Sequence, residues 1–204
     1  MKVLVTGANG QLGYDVVKEL QKRNIECYGA MRQDFDIVDF EAVEKFIVSY
    51  MPDAIIHCAA YTAVDKAEDE QGLCYLVNAS ATENIAEICK KINAKMLYIS
   101  TDYVFDGTKD GFYEVYDKPN PINVYGKTKL LGEQAVQRIL DKYFIVKSDL
   151  TIIFDLYIKF KFLSISFINK LILFFLLEHI ISYFLQQNSL FSMLLPGAVP
   201  ASHR

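Results

Sequence analysis

A glycine-rich turn near the N-terminus constrains the fold of this chain more than any other feature. Residues 2–6 form a short β-branched run, and the turn follows as Gly7-Ala8-Asn9-Gly10-Gln11-Leu12-Gly13. Apolar side chains then recur at helical spacing over 11–23. Glycines at intervals of three let the backbone turn tightly, approach a phosphate and pack the helix on a sheet. The pattern predicts a pyrophosphate site at the N-terminus of that helix.

The first 150 residues continue to alternate between strand and helix patterns. Strand-like runs lie at 2–6, 25–30, 54–59, 95–100 and 143–147, and helical patterns lie at 11–23, 39–50, 73–92 and 123–140. This alternation predicts an α/β fold, a Rossmann-type doubly wound parallel sheet with helices on both faces. The chain has 204 residues and a net charge of −4, which argues against a nucleic-acid partner because such proteins usually carry a basic stripe.

Composition changes near residue 150. Residues 151–195 contain only five charged side chains but eight of the fourteen phenylalanines. The segment also lacks glycine punctuation and a sustained period, and its composition is typical of an AT-rich reading frame translated out of register. We therefore divide the chain into a domain of residues 1–147 and an atypical hydrophobic tail of residues 148–204, which we interpret as frameshifted or truncated. The family resemblance described below implies that this apolar tail replaces the usual substrate domain.

The most apolar part of the tail, residues 171–185, raises the question of a membrane span. Glu178 and His179 interrupt it, whereas a transmembrane helix needs about 20 predominantly apolar residues. We do not expect a membrane partner. A core-forming helix and a membrane-tethered protein remain the alternatives for this segment.

The end of the second predicted strand bears on the kind of dinucleotide. Many NAD sites place an acidic residue there to bind the ribose hydroxyls. Here Met31 stands at that position and Arg32 follows. A basic side chain at this point favours a 2′-phosphate and hence NADPH, although a solvated surface arginine is the alternative. We expect NADPH or NADH as the cofactor.

Two further segments carry candidate catalytic groups. Thr101 follows the fourth predicted strand, and Tyr125 and Lys129 are four residues apart, so these two share a helix face. An ammonium beside a phenol lowers the phenol's pKa from its usual value near ~10. We expect Tyr125 to exchange a proton with a carbonyl or alcohol oxygen, and Thr101 to hydrogen-bond the same oxygen. Lys129 would also contact the nicotinamide ribose.

Six motifs carry a family resemblance: residues 5–13 (VTGANGQLG), 36–39 (DIVD), 57–68 (HCAAYTAVDKAE), 77–79 (VNA), 100–107 (STDYVFDG) and 121–129 (PINVYGKTK). Residues 1–147 resemble the extended short-chain dehydrogenases/reductases and, within them, the dTDP-4-dehydrorhamnose reductase family. That family reduces the 4-keto group of dTDP-4-dehydro-6-deoxy-L-mannose with NAD(P)H and so makes dTDP-L-rhamnose. The resemblance implies a dTDP-linked keto-deoxysugar as substrate and allows a homodimer.

The resemblance also implies roles for individual residues. The pyrophosphate would lie on the turn, at Gly7, Gly10, Gln11, Leu12 and Gly13. The adenine end would contact Asp36 and Ile37, and the path to the nicotinamide would follow Ala60, Tyr61 and Thr62. The sugar would meet Thr101 and Asp102, while Tyr125 and Lys129 act as described above.

The resemblance weakens after the fifth predicted strand. The family continues with Arg-Thr-Ser-Trp, whose tryptophan lies at the substrate, whereas this chain reads Lys147-Ser148-Asp149-Leu150 and contains no tryptophan. A cofactor-binding fragment or regulatory relative without turnover is therefore the alternative to a working reductase.

Composition supports two further expectations. The cysteines occur singly, and no signal-peptide pattern precedes the first strand, so we expect a cytoplasmic location. The three histidines, His57, His179 and His203, form no ligand cluster, so we expect no metal held by the protein.

Overall fold

Five parallel strands form one sheet in the computed structural model, which describes residues 1–148 except 112 and 115. The spatial order is β2-β1-β3-β4-β5, and every neighbouring pair is parallel. The strands are β1 (Lys2–Thr6), β2 (Glu26–Ala30), β3 (Ala54–His57), β4 (Lys95–Thr101) and β5 (Tyr143–Ser148). The predicted Rossmann-type sheet is confirmed.

Helices connect the strands, as a parallel sheet requires. They are α1 (Gln11–Lys22), α2 (Phe40–Tyr50), α3 (Val64–Asp69), α4 (Gln71–Tyr75), a π-helical turn (Leu76–Ser80), α5 (Ala81–Ile92), a 3₁₀ turn (Asp102–Val104) and α6 (Val124–Ile139). Two of the α-helices begin at a capping side chain, because Asp39 accepts a hydrogen bond from the Ala42 N–H and Asn123 accepts one from the Gly126 N–H. The predicted helix over 73–92 is interrupted by the π-helical turn.

The sheet is covered on both faces, as the doubly wound topology demands. Successive residues of β1 point to opposite sides, so Leu4 packs in one core cluster with Val43 and Ile47 of α2. Val3 and Val5 pack in the other cluster with Val16 and Leu20 of α1. Burial on both faces explains why β1 and β3 read as continuous apolar runs.

The strand order reverses between β1 and β3, and this reversal places the functional residues. In such sheets ligands bind outside the carboxyl ends of the strands at the switch point. The glycine turn follows β1, residues 58–62 follow β3, and Thr101 ends β4. These segments therefore lie along one edge of the sheet.

In the described part of the chain no helix is long and apolar enough to cross a membrane. The predicted tail at 148–204 and its apolar segment at 171–185 lie outside the described residues, apart from the backbone of Ser148 at the end of β5.

Candidate active site

The glycine turn needs its small residues because the backbone is crowded there. Gly7 has φ +69°, a left-handed conformation that favours glycine, and a Cβ atom on it would lie 2.7 Å from the Ala59 nitrogen. A Cβ atom on Gly13 would overlap the Gly7 carbonyl. Gly10 is extended, and its Cβ would lie 3.3 Å from the Gly7 oxygen. The turn thus draws the chain after β1 against the chain after β3.

The N-terminus of α1 is suited to an anion. Gly10 is its N-cap and supplies no side-chain cap, and the first turn contains no acidic residue. The N–H groups of Gln11, Leu12 and Gly13 lie in the first turn of α1, where backbone N–H groups have no acceptor within the helix. With the helix dipole, these donors would hold a pyrophosphate.

Arg32, Asp36 and Ile37 follow β2, whose last residue lies beside this turn, because the Ala8 N–H donates to the Ala30 carbonyl over 3.1 Å. Arg32 Nη2 donates to Asp36 Oδ2 over 2.8 Å in an exposed ion pair. The hydrogen bond from the Val38 N–H and the Arg32 charge lower the pKa of Asp36. Ile37 packs against the core. Arg32 is thus exposed and held by a carboxylate.

The segment after β3 contains Ala60, Tyr61 and Thr62, and Asn78 fixes its backbone. The Tyr61 N–H donates to Asn78 Oδ1 over 2.8 Å, while Asn78 Nδ2 donates to the Tyr61 carbonyl over 3.0 Å. Asn78 is fully buried in the π-helical turn, a feature often found at functional sites. The Tyr61 hydroxyl donates to Glu70 over 2.7 Å, and this bond raises the pKa of Tyr61 to about 12.

Thr101 and Asp102 lie at the carboxyl end of β4. The Thr101 hydroxyl donates to Asp102 Oδ1 over 2.8 Å and accepts from the Tyr103 N–H over 3.3 Å. The ring of Tyr103 meets the Tyr125 ring edge-on, with 5.6 Å between centroids. A Cβ atom on Gly126 would overlap the Tyr103 carbonyl, so the start of α6 lies directly against this segment.

Tyr125 and Lys129 are both buried on one face of α6, as predicted. The predicted effect on the phenol was wrong. Burial raises the pKa of Tyr125 to about 12, opposed in part by its side-chain hydrogen bond with Thr101. The Lys129 ammonium does not offset this effect of burial, and its Nζ donates to the Ile99 carbonyl over 2.7 Å. The chain's own groups therefore keep the Tyr125 phenol protonated.

The pKa of Lys129 is also shifted. Its Nζ lies 4.2 Å from the centroid of the Tyr98 ring, and burial lowers its pKa to about 7. A protonated phenol beside a lysine that titrates near neutrality is suited to donating a proton to a keto oxygen.

Three contributors to the site have no role in the sequence analysis. Asn78 lies within a quoted motif, but its contact with Tyr61 spans 17 residues. His57 is buried between Thr6, 2.7 Å from Nδ1, and Thr82, 3.2 Å from Nε2. Burial lowers the pKa of His57 to about 3. The third is Glu133, whose spacing of four residues from Lys129 is a signal that a helical reading would find.

Comparisons with known proteins identify the family of this chain. A family model described as "RmlD substrate binding domain" matches residues 1–155. The dTDP-4-dehydrorhamnose reductase of Mycolicibacterium smegmatis is 38% identical over 148 residues, covering 72% of this chain and 45% of the relative. The methionine adenosyltransferase 2 subunit beta of Bos taurus is 42% identical over 142 residues, covering 66% of this chain and 42% of the relative.

One solved structure is similar to this chain in both fold and sequence. It is the dTDP-4-dehydrorhamnose reductase of Bacillus anthracis in complex with NADP, with TM-score 0.70 and 38% identity, covering 78% of this chain and 60% of that one. The chain spans about half the length of the curated relatives it matches. The family resemblance is thereby confirmed, and the chain belongs to the RmlD substrate-binding-domain family.

Proposed function

We propose that the domain takes part in the NAD(P)H-dependent reduction of the 4-keto group of dTDP-4-dehydro-6-deoxy-L-mannose to dTDP-L-rhamnose. One observation carries this proposal: Thr101, Tyr125 and Lys129 converge where β4 ends and α6 begins, along the edge of the sheet that also holds the glycine turn. The relatives named as dTDP-4-dehydrorhamnose reductases support the choice of substrate.

The residues around the turn fit a dinucleotide. Gly7 and Gly13 let the turn pack tightly, because a Cβ atom on either would meet neighbouring backbone, and the first turn of α1 has no acid to repel a pyrophosphate. Asp36 and Ile37 would line the adenine end, and Ala60, Tyr61 and Thr62 would lead toward the nicotinamide. A bound NAD(P)H supplies the hydride. The NADP complex of the Bacillus anthracis reductase supports NADPH, and Arg32 would then face the 2′-phosphate.

The chain's own groups would manage the proton. The Tyr125 phenol, whose pKa burial raises to about 12, would donate its proton to the keto oxygen. Thr101 would hydrogen-bond that oxygen, and Asp102 would bind the sugar. Lys129, held on the Ile99 carbonyl, would stabilise the phenolate left after the transfer and contact the nicotinamide ribose.

The deciding experiment measures NADPH consumption with the dTDP-linked keto-sugar. Residues 1–147 joined to the C-terminal half of a reductase relative should consume NADPH only when the keto-sugar is present. Tyr125→Phe in the same chimera should remove most of the rate. Consumption that survives this substitution would contradict the assignment of the phenol.

A binding role without turnover is the second candidate. It is favoured by the similarity to a protein named as a subunit of another enzyme, methionine adenosyltransferase 2. This candidate predicts NADPH binding with no keto-sugar reduction by the chimera. Burial of Tyr125 and Lys129 on one face of α6 supports the reductase as the first candidate.

We also propose a cytoplasmic location. Cys27, Cys58, Cys74 and Cys89 are all free thiols, which suits a reducing compartment. Fractionation of cells that express the chain would test this placement.

A further inference from the structure

A buried carboxylate lies one helical turn beyond Lys129. Glu133 is 3% exposed and shares the face of α6 that carries the lysine. Its Oε1 accepts a hydrogen bond from the Ser100 hydroxyl, and its Oε2 accepts one from Lys147 Nζ over 2.9 Å. Ser100 belongs to β4 and Lys147 to β5. One side chain thus joins α6 to two strands beside the candidate active site.

The carboxyl end of β4 is held to the middle of α6 by two neighbouring contacts. Ile99 accepts the Lys129 hydrogen bond, and Ser100 donates to Glu133. Ile99 and Ser100 are consecutive, and Lys129 and Glu133 are one helical turn apart. A shift of α6 along β4 would therefore disturb both contacts at once.

The surroundings of the Lys129 ammonium contain few charges. The titratable groups that act on it or face it come from four places: Glu133 on its own helix, His57 and Cys58 at the end of β3, Cys74 on α4, and Tyr98 on β4. Burial raises the pKa of Cys58 to about 12 and lowers that of His57 to about 3, so both are neutral near pH 7. Glu133 is the carboxylate in this set, and it raises the pKa of Lys129 against the effect of burial.

We propose that Glu133 is a positioning residue, whose carboxylate keeps the Lys129 ammonium charged and locks α6 onto the ends of β4 and β5. The catalytic meaning of this role rests on the proposed reduction. The charge of Lys129, however, can be measured without any turnover, so the two proposals can fail separately.

The test measures the pKa of Lys129 in the full 204-residue chain. Lysine labelled with ¹³C at Cε is followed by NMR across pH, and the resonance that disappears in Lys129→Arg is assigned to this residue. Glu133→Gln removes the negative charge and should lower the Lys129 pKa by about one pH unit. Lys147→Met removes a positive charge that partly neutralises Glu133, so it should raise the Lys129 pKa.

Opposite shifts in these two variants are a signature that a purely structural role would not produce. An unchanged Lys129 pKa in both, with near-ultraviolet circular dichroism like that of the parent chain, would overturn the proposal. If Glu133→Gln does not fold, Glu133→Asp and Lys147→Met test the proposal in its place. Glu133→Asp keeps the negative charge and should leave the Lys129 pKa close to the parent value, whereas Lys147→Met should raise it. Failure of the chimera to reduce the keto-sugar would count against the proposed function alone.

Discussion

Asn78 and Tyr61 are joined by two hydrogen bonds, with the Asn78 amide donating to the Tyr61 carbonyl over 3.0 Å and accepting from the Tyr61 N–H over 2.8 Å. Asn78 Nδ2 also lies 3.2 Å from the Thr128 hydroxyl on α6. A single buried amide thereby ties the segment after β3 to the helix that carries Tyr125 and Lys129. This contact holds residues 60–62, the proposed path to the nicotinamide, in a fixed position against α6.

Replacing Asn78 should loosen that connection. Asn78→Ala leaves part-buried backbone groups of Tyr61 without their side-chain partner, and a fully buried group in that state costs roughly 1–3 kcal/mol. We expect a lower free energy of unfolding in urea and a weaker affinity for NADPH by calorimetry. Asn78→Asp keeps the acceptor and loses the donor, so its effect should show which of the two bonds matters. Parent-like affinity in both variants would contradict this role.

Cofactor binding should not tolerate a side chain at Gly10 of the glycine turn. Gly10→Val places a branched side chain over the N-terminus of α1 and should abolish NADPH binding measured by calorimetry. The matched control is Gly72→Ala on α4, where an added Cβ would meet nothing within 4 Å. Its affinity should equal that of the parent chain. Undiminished binding by Gly10→Val would remove the basis for placing the pyrophosphate here.

Arg32 should influence the choice between the two nicotinamide cofactors. Arg32→Ala should weaken NADPH relative to NADH, because the side chain would no longer neutralise a 2′-phosphate. Arg138→Ala is the matched control, since Arg138 is likewise exposed and ion-paired, with Glu83 on α5. Separate calorimetric titrations with each cofactor measure the ratio. A ratio that is the same in both variants would make Arg32 a surface residue without a binding role.

Stability should depend on pH through Lys129. Burial lowers its folded-state pKa to about 7, from an ordinary value of 10.5. Between these values the unfolded chain binds more protons at this residue, so the free energy of unfolding rises with pH. Above pH 9.0, the ordinary pKa of a thiol, the buried Cys58 acts in the opposite direction because burial raises its folded-state pKa to about 12.

The window that isolates Lys129 therefore runs from about pH 7 to about pH 9. Thermal melts should show Tm rising across this window in the parent chain, and Lys129→Met should flatten the rise. The same slope in Lys129→Met would show that another group is responsible.

We expect the 204-residue chain to bind cofactor but to reduce the keto-sugar poorly. Leu150 stands where the family has its substrate-contacting tryptophan, and correct positioning of a substrate supplies ~7–11 kcal/mol of a barrier. In the chimera with a complete C-terminal half, Tyr125→Phe should lower kcat by roughly 10²–10⁴-fold, the usual contribution of general acid catalysis. Tyr75→Phe, at an exposed tyrosine on α4, should leave kcat unchanged. Full activity of the 204-residue chain itself would show that its tail builds a working substrate site.

The order of strands and helices, the glycine turn and the shared face of Tyr125 and Lys129 could all be predicted from the sequence. Each of these depends on residues within about one turn or one strand of each other. Glycine spacing limits the backbone directly, and hydrophobic periodicity reports which side of a helix or strand is buried. Such patterns can be recognised in the sequence because they depend on residues that are close together in the chain.

Tertiary structure alone decided the protonation of the site and the contacts that hold it. The expectation of a lowered Tyr125 pKa was wrong because burial of the phenol outweighs the groups that would lower the value, and Lys129 Nζ donates to Ile99, 30 residues away in the chain. The bonds from Glu133 to Ser100, 33 residues away, and from Asn78 to Thr128, 50 residues away, likewise have no local signature. Burial and charge depend on which distant residues pack around a group, and that packing exists only once the sheet and its helices have assembled.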